Sequence, residues 1–336
     1  MASTLWDTTG SEVVQALLAE RRAAGALASG LALSLVVVVD EKQVRVAEQA
    51  AAIAGSAHPC RVLIVVRRSI EADTRLDAEV QVGGRLGATE AVVMRMYGRL
   101  ALHAESVILP LLAPDAPVVT WWHGPPPDEI AADALGVLAT RRVTDCAQSS
   151  SPMESLRRRA ADFVLGDSDL AWARTTPWRS LLASALDAVR CAPQSATVTA
   201  EAGNPSAALL SGWIAARLGI PTTVEESSAP GISAAELRTT AEDGEPYLVR
   251  IERPDGRSAT LSRGNEQPRA LPLPRRELGD LLAEELRRMD PDFVYAEALA
   301  QATGVRVAET QRSRTLVWRD PARQAAADAD ASPAAS

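Results

Sequence analysis

Apolar residues along this chain gather in short runs, and the runs alternate with segments of helical period. Glu12 to Ala24 has apolar positions at Val13, Ala16, Leu17 and Ala24, Ser11 placed to cap it and Gly25 just past its end, a pattern that predicts a surface helix. Leu31 to Val39 predicts a buried strand, and Asp40 stands in a cap position before an alanine-rich helix from Glu41 to about Ala54. A strand at Arg61 to Val66 follows, and strand, helix and strand in that order predict a right-handed parallel unit. Leu76 to Val82 alternates apolar and polar side chains, and Gly83, Gly84 and Gly87 supply a turn before Ala91 to Tyr97, so this pair is expected to be antiparallel. A helix from Arg99 to about Leu112, distorted or ended near Pro110, then leads into a strand at Val118 to Trp122. The order β-α-β-β-β-α-β predicts a mixed sheet covered by helices rather than a purely parallel one.

The stretch Val118 to Pro127 reads VVTWWHGPPP, an apolar strand that runs out into a rigid Gly/Pro loop. Adjacent strand residues point to opposite faces, so Trp121 and Trp122 are expected in different layers. Ligands and partners gather at the carboxyl ends of parallel strands, which makes this loop the first candidate site. Indoles that only fill the core or a domain junction would produce the same pattern.

Further on, a short helix is expected near Ile130 to Ala139, and the Ser-rich stretch Ala147 to Pro152 suits a linker or exposed loop. Helices follow at Met153 to Phe163 and Pro177 to Leu186, then a strand at Ala196 to Ala200, a helix from Pro205 to Leu218 ended by Gly219, and a strand at Thr222 to Glu225. Ser233 to Leu273 carries β-like segments separated by turn signals at Glu242 to Gly244, Pro254 to Gly256 and Arg263 to Asn265, which predict an antiparallel meander. Helices at Arg275 to Met289 and Asp292 to about Thr303 close the folded part. The fold class expected is α/β, α+β overall. An N-terminal domain is placed at 1–146, a linker at 147–152, a C-terminal domain at 153–305 and a disordered Ala/Asp-rich tail at 319–336.

Composition narrows the function classes. The chain has 336 residues, 47% of them hydrophobic and 23% charged, which is ordinary for a globular protein. A formal charge of −8 argues against a general nucleic-acid binder. Lys42 is the only lysine, so arginine abundance follows a compositional bias and is not read as polyanion binding. No secretory signal opens the chain, and no apolar run approaches the ~20 residues of a membrane span, so a cytoplasmic protein without membrane contact is expected. Cys60, Cys146 and Cys191 are widely spaced and form no CxxC, which supports neither a disulfide framework nor a metal site.

The common catalytic and cofactor signatures do not occur: there is no GxGxxG, Walker loop, GxSxG elbow or HExxH. His58, His103 and His123 lack metal-ligand spacing, and no cofactor is expected. Two other constellations carry some chemistry. In HPCR, Arg61 beside Cys60 could lower the thiol pKa and make it redox-responsive, or Cys60 is a buried small hydrophobe. Arg141 and Arg142 in RRVTD are followed by Arg174, Trp178 and Arg179 in GDSDLAWARTTPWR. Together with Trp122 and His123 these form either a partner contact or anionic-metabolite pocket at the domain junction, or a charge lattice bracing the domains.

The segments HPCRVLIVV, MRMYGRLALHAESVILPLLAPDAPVVTWWHG, RRVTD, GDSDLAWARTTPWRSLLASALD and LAEELRRMDPDFVYAEAL resemble the actinobacterial OpcA family, the glucose-6-phosphate dehydrogenase assembly proteins. The resemblance runs from about Gly30 to Ala300 and contains no catalytic motif. It implies a non-enzymatic assembly factor or allosteric activator that binds glucose-6-phosphate dehydrogenase and supports the oxidative pentose phosphate pathway. A phosphosugar effector is compatible with it. Redox control through cysteines, associated with cyanobacterial members, has sparse support in a chain with 3 cysteines. The alternative is a phosphosugar-binding protein or enzyme using an Arg/Trp-lined interdomain cleft.

Overall fold

The computed structural model describes residues 2–24, 30–83, 90–187, 192–240 and 245–307. The expected features at Gly25, Gly84, Gly87, Cys191, 242–244 and 319–336 lie outside these residues.

The chain opens with an unexpected edge strand, β1 (Ala2–Leu5), too short to show a period. Helix α1 (Gly10–Ala23) starts two residues earlier than expected, because Thr9, and not Ser11, caps it in a reciprocal box with Glu12. Strand β2 (Leu33–Val39) is followed by a 3-10 turn at Glu41–Gln43, which precedes α2 (Val44–Ala57). Then come β3 (Cys60–Arg67), β4 (Arg75–Val82) and β5 (Glu90–Tyr97), and β4 and β5 are antiparallel as expected. The long helix expected at 99–112 is instead broken into α3 (Arg99–Leu102), α4 (Ala104–Ile108) and a 3-10 turn containing Pro110.

Strand β6 (Val118–His123) is buried at every position. After it, the helix expected near 130–139 shrinks to one turn, α5 (Ala134–Val137). Two more strands follow that hydrophobic patterning missed, β7 (Arg141–Thr144) and β8 (Asp167–Asp169), with α6 (Pro152–Ala161) between them. Six of their seven residues are charged or polar, Val143 being the exception, yet all seven positions are buried. The stretch 147–152 therefore lies between two strands of one sheet, and no change of sheet occurs there.

That sheet has eight strands in the order β1-β4-β5-β3-β2-β6-β7-β8. It is mixed, as expected, but the run β5-β3-β2-β6-β7-β8 is parallel throughout. This is the doubly wound order, with its reversal between β2 and β6. One face is covered by α2 and by α10 (Leu278–Leu286), and the other by α1 and α4. Trp121 packs in the first of these cores, while Trp122 points to the opposite face.

The short α7 (Leu170–Ala173) and α8 (Thr176–Asp187) lead to the second sheet, built from β9 (Ser195–Ala200), β10 (Thr222–Glu226), β11 (Ile232–Thr240), β12 (Pro246–Glu252), β13 (Ser258–Arg263) and β14 (Arg269–Pro272). Strands β11 to β14 form the expected antiparallel meander, and β9 pairs β10 in parallel across α9 (Pro205–Leu218). Pro205 and Gly219 frame α9, and Gly219 takes φ 66° at its end. Helix α11 (Phe293–Thr303) packs on α9. Helix α10 is shorter than the expected 275–289, and it returns the chain to the first sheet by seating on α2.

A Cβ added at Gly279 would lie 2.5 Å from Ile53 Cβ, so α10 and α2 approach as closely as this glycine allows. Gly279→Val is expected to lower unfolding free energy by about 1–3 kcal/mol in urea titrations. Unchanged stability would mean that this contact is not tight.

Candidate functional site

The register of the parallel strands brings the carboxyl ends of β2, β6 and β7 together. Val39 lies opposite His123, and β7 continues into Thr144 and Asp145. Gly124, at φ 146°, turns the chain out of β6 into Pro125, Pro126 and Pro127. A cavity of about 270 Å³ lies on the β2 side of this turn, lined among others by Asp40, Arg67, Trp122 and His123. On the β7 side a second cavity of about 360 Å³ is lined by Thr144, Asp145, Cys146, three serines, Arg158 and Arg159.

His123 is buried against Trp121, with ring centroids 4.8 Å apart. Burial lowers its pKa, with the Asp145 carboxylate pulling the other way, so the neutral imidazole is favoured. Neither of its ring nitrogens has a hydrogen-bond partner, nor does Nε1 of Trp121 or Trp122. Among the described residues no titratable group is hydrogen-bonded to His123 as an acid–base couple would require.

A doubly wound sheet raises the question of a dinucleotide at its switch point. The residues after β2 do not fit one. A diphosphate needs glycine and free backbone N–H groups there; this chain places Asp40 and Glu41 at that turn. Glu41 is held by Arg95 at 3.0 Å and Arg68 at 3.3 Å, so its carboxylate is fixed beside the position a phosphate would need. Gln43, at the N-cap of α2, makes no side-chain capping bond.

The seven residues singled out from the sequence do not converge on one cleft. Trp122 and His123 stay at the β6 turn. Arg141 points to α10 and donates to Glu285 at 2.5 and 3.1 Å, both side chains being buried. Arg142 is held by Asp167 and by the carbonyls of Ala139 at 3.1 Å and Leu165 at 2.8 Å. Arg174 makes a two-pronged pair with Asp145 at 2.7 and 2.8 Å. Arg179 lies 3.6 Å over the Trp172 ring and donates to the hydroxyls of Thr175 and Thr176. Trp178 sits apart, buried beneath Arg253.

Asp169, from the GDSDLAWARTTPWR segment already noted, completes this lattice together with Arg159 and Glu285, the two groups that sequence reasoning missed. Asp169 accepts from Thr144 Oγ1 at 2.6 Å and from the backbone N–H groups of Cys146 and Ala171. Burial, then the nearby Asp145 charge, raises its carboxyl above the usual range. Arg159 bridges the Pro127 and Asp128 carbonyls and pairs with Asp162 at 3.2 Å. No sequence signal linked Arg141 to Glu285, which is 144 residues away. Cys60 is fully buried, and burial pushes its thiol up to about 12. Its neighbour Arg61 does not activate it, being bound to Glu90 at 2.8 Å and the Leu111 carbonyl at 2.7 Å. Burial likewise raises the Cys146 thiol. No helix among the described residues is long and apolar enough to cross a membrane.

Residues 50–161 match the family model described as the glucose-6-phosphate dehydrogenase subunit N-terminal domain, and residues 165–299 match the one described as its C-terminal domain. No curated protein matches the chain. Among solved structures, KijD10, a 3-ketoreductase from Actinomadura kijaniata in complex with TDP-benzene and NADP, is 12% identical over 81% of this chain and 95% of its own, with a TM-score of 0.40. An NAD-binding oxidoreductase from Klebsiella pneumoniae is 9% identical over 82% and 97%, with a TM-score of 0.40. A dehydrogenase, MviM, from Clostridium difficile is 5% identical over 81% and 96%, with a TM-score of 0.41. Likeness at this level transfers no chemistry to this chain.

Asp162 gives the lattice a pH signature. Burial raises its carboxyl from 3.8 to about 6, against the opposing pull of Arg159. The folded form therefore binds more protons than the unfolded form between these values. The stability contribution is complete below the unfolded pKa and lost as pH rises through the folded one. Relative to Asp162→Asn, the parent should lose ~3 kcal/mol of unfolding free energy between about pH 4 and about pH 7. Parallel pH profiles for the two proteins would contradict this.

Proposed function

The chain belongs to the OpcA family of glucose-6-phosphate dehydrogenase assembly proteins, matching both of its domains, and on that premise we propose that it is a non-enzymatic partner of the dehydrogenase. It binds that enzyme in the cytoplasm and promotes its assembly or activity, acting as an allosteric activator of the oxidative pentose phosphate pathway.

The observation that carries this reading, beside the family itself, is how the arginines of β7 and of the end of α7 are used. Arg141, Arg142 and Arg174 each face a carboxylate within the protein. The turn that a dinucleotide would need carries Asp40 and Glu41. A sugar-phosphate dehydrogenase of its own would need the arginines free for substrate and a base beside it. The rival reading, a phosphosugar enzyme built on the seven expected residues, lacks that arrangement. The Gly124–Pro127 turn, which follows the buried Trp122 and His123, is our candidate for the contact with the dehydrogenase, since a rigid exposed turn can be recognised at small entropic cost.

Purified alone with glucose 6-phosphate and NADP, the protein should show no turnover. Added to purified dehydrogenase, it should change both the rate and the oligomer size measured by light scattering. Absence of binding together with unchanged rate and size would overturn the reading.

A further inference from the structure

A third cavity, of about 270 Å³, lies away from the strand-end crevice, between α8, the N-terminus of α9 and the turns of the second sheet. Four arginines line it, Arg174, Arg253, Arg275 and Arg276, against one carboxylate, Glu201. Two of the four are neutralised inside the protein: Arg174 by Asp145, and Arg276 by Glu284. The other two are not. Among the described residues, neither Arg253 nor Arg275 has an ion pair with a carboxylate.

Arg253 is only 8% exposed. It lies over the Trp178 ring with 5.1 Å to the centroid, and its Nη2 donates to the Ile232 carbonyl at 2.7 Å. Its Nε is buried without a partner. Arg275 approaches from the strand-to-helix connection, donates to the Pro230 carbonyl and covers Gly256. The two guanidiniums converge: the Cβ position at Gly231 is 3.7 Å from Arg253 Nη2 and 3.9 Å from Arg275 Nε. Burial and the neighbouring Arg275 charge lower the Arg253 pKa to about 10, which is the cost of holding two like charges together. A protein that only needed to fill this space would place an apolar side chain or a carboxylate there.

The remaining wall is the start of α9. Asn204 caps it by accepting from the Ala207 N–H at 2.9 Å, and Pro205 occupies the first helical position. The next residue, Ser206, is buried and lines the cavity at the start of the helix, where Pro205 has no N–H and the Ala207 N–H is taken by the cap. Helix dipole, Ser206 and two converging guanidinium forks all favour one kind of guest.

We propose that this cavity binds the phosphate group of a small phosphorylated metabolite, with Arg253 and Arg275 as its two cationic ligands and the N-terminus of α9 as the third. A phosphate monoester carries enough oxygens to take both forks and the helix end at once, which a carboxylate does not. The volume lies below the roughly 300–1,000 Å³ of drug-sized pockets, which restricts the guest to about the size of a monosaccharide phosphate. Glu201 and Asn204 also line it, Asn204 Nδ2 donating to Glu201 Oε1 at 2.9 Å. This site uses Trp178 and Arg174 from the sequence expectation but takes its charge from two arginines outside it.

The test uses the isolated full-length chain, so its result stands whether or not the dehydrogenase is bound. Isothermal titration with glucose 6-phosphate, inorganic phosphate and glucose, at matched ionic strength, should give saturable binding of the two phosphates and none of glucose. Arg275→Gln, at an exposed position, should weaken glucose 6-phosphate binding by about 10-fold or more while leaving the melting temperature near that of the parent. Arg253→Gln should weaken it further, with far-UV circular dichroism checking that the variant is folded. Equal affinity for inorganic phosphate and the sugar phosphate would support the site and assign its affinity to the phosphate alone. Phosphates binding no better than glucose, or both variants retaining parental affinity, would overturn the proposal.

Discussion

Leaving a buried guanidinium without a carboxylate costs several kcal/mol, and β7 and β8 are built so that this never happens. Arg141 and Arg142 are adjacent on one strand, so their side chains leave on opposite faces. Arg141 meets Glu285 of α10, and Arg142 meets Asp167 of β8. Arg174, just past α7, closes on Asp145 at the end of β7. Each pair ties a strand of the first sheet to a segment that follows the expected linker. The first sheet is consequently incomplete without residues 167–169 and covered only when α10 returns from beyond the second sheet. The core under α2 and α10 thus draws on both halves of the chain, while the second sheet has a core of its own.

The same pairs decide what the strand ends can do. A doubly wound sheet offers a crevice where β2 and β6 diverge, and catalysts of many kinds place charged groups there. In this chain Arg67, which lines that crevice, pairs with Asp133, the phosphate turn is acidic, and burial favours the neutral form of His123. What stays outward is a rigid turn of glycine and prolines between two modest cavities. Such an arrangement suits recognition of another protein better than chemistry on a small molecule. The unbalanced positive charge lies elsewhere, at the start of α9, where Arg253 and Arg275 converge.

Much of the fold was legible because apolar runs and turn residues agreed. Strands β2, β3, β5 and β6 were found from β-branched runs, α9 from Pro205 and Gly219, and the meander from its turns. The opposite facing of Trp121 and Trp122 followed from strand period alone. Strands β7 and β8 were not legible, since RRVT and DSD look like surface, and only distant partners make their burial affordable. For the same reason the stretch 147–152 read as a boundary although the sheet continues past it. The candidate site was partly legible. The β6 turn was located from Gly124 and the prolines after it, but the arginines were grouped by proximity in sequence, whereas Glu285, which neutralises Arg141, is 144 residues distant. Arg253 escaped notice because a lone arginine before a turn carries no pattern.

The central claim is that Arg141 and Arg142, buried in the first sheet, brace the fold and do not bind substrate or partner. The most direct measurement replaces a whole pair with apolar residues, Arg141→Met together with Glu285→Leu, and records unfolding free energy and the effect on glucose-6-phosphate dehydrogenase. A bracing pair exchanged this way should leave stability within about 1–2 kcal/mol of the parent or raise it, and should leave the effect on the dehydrogenase intact. A well-folded double variant that no longer acts on the dehydrogenase would contradict the account and return Arg141 to the functional site.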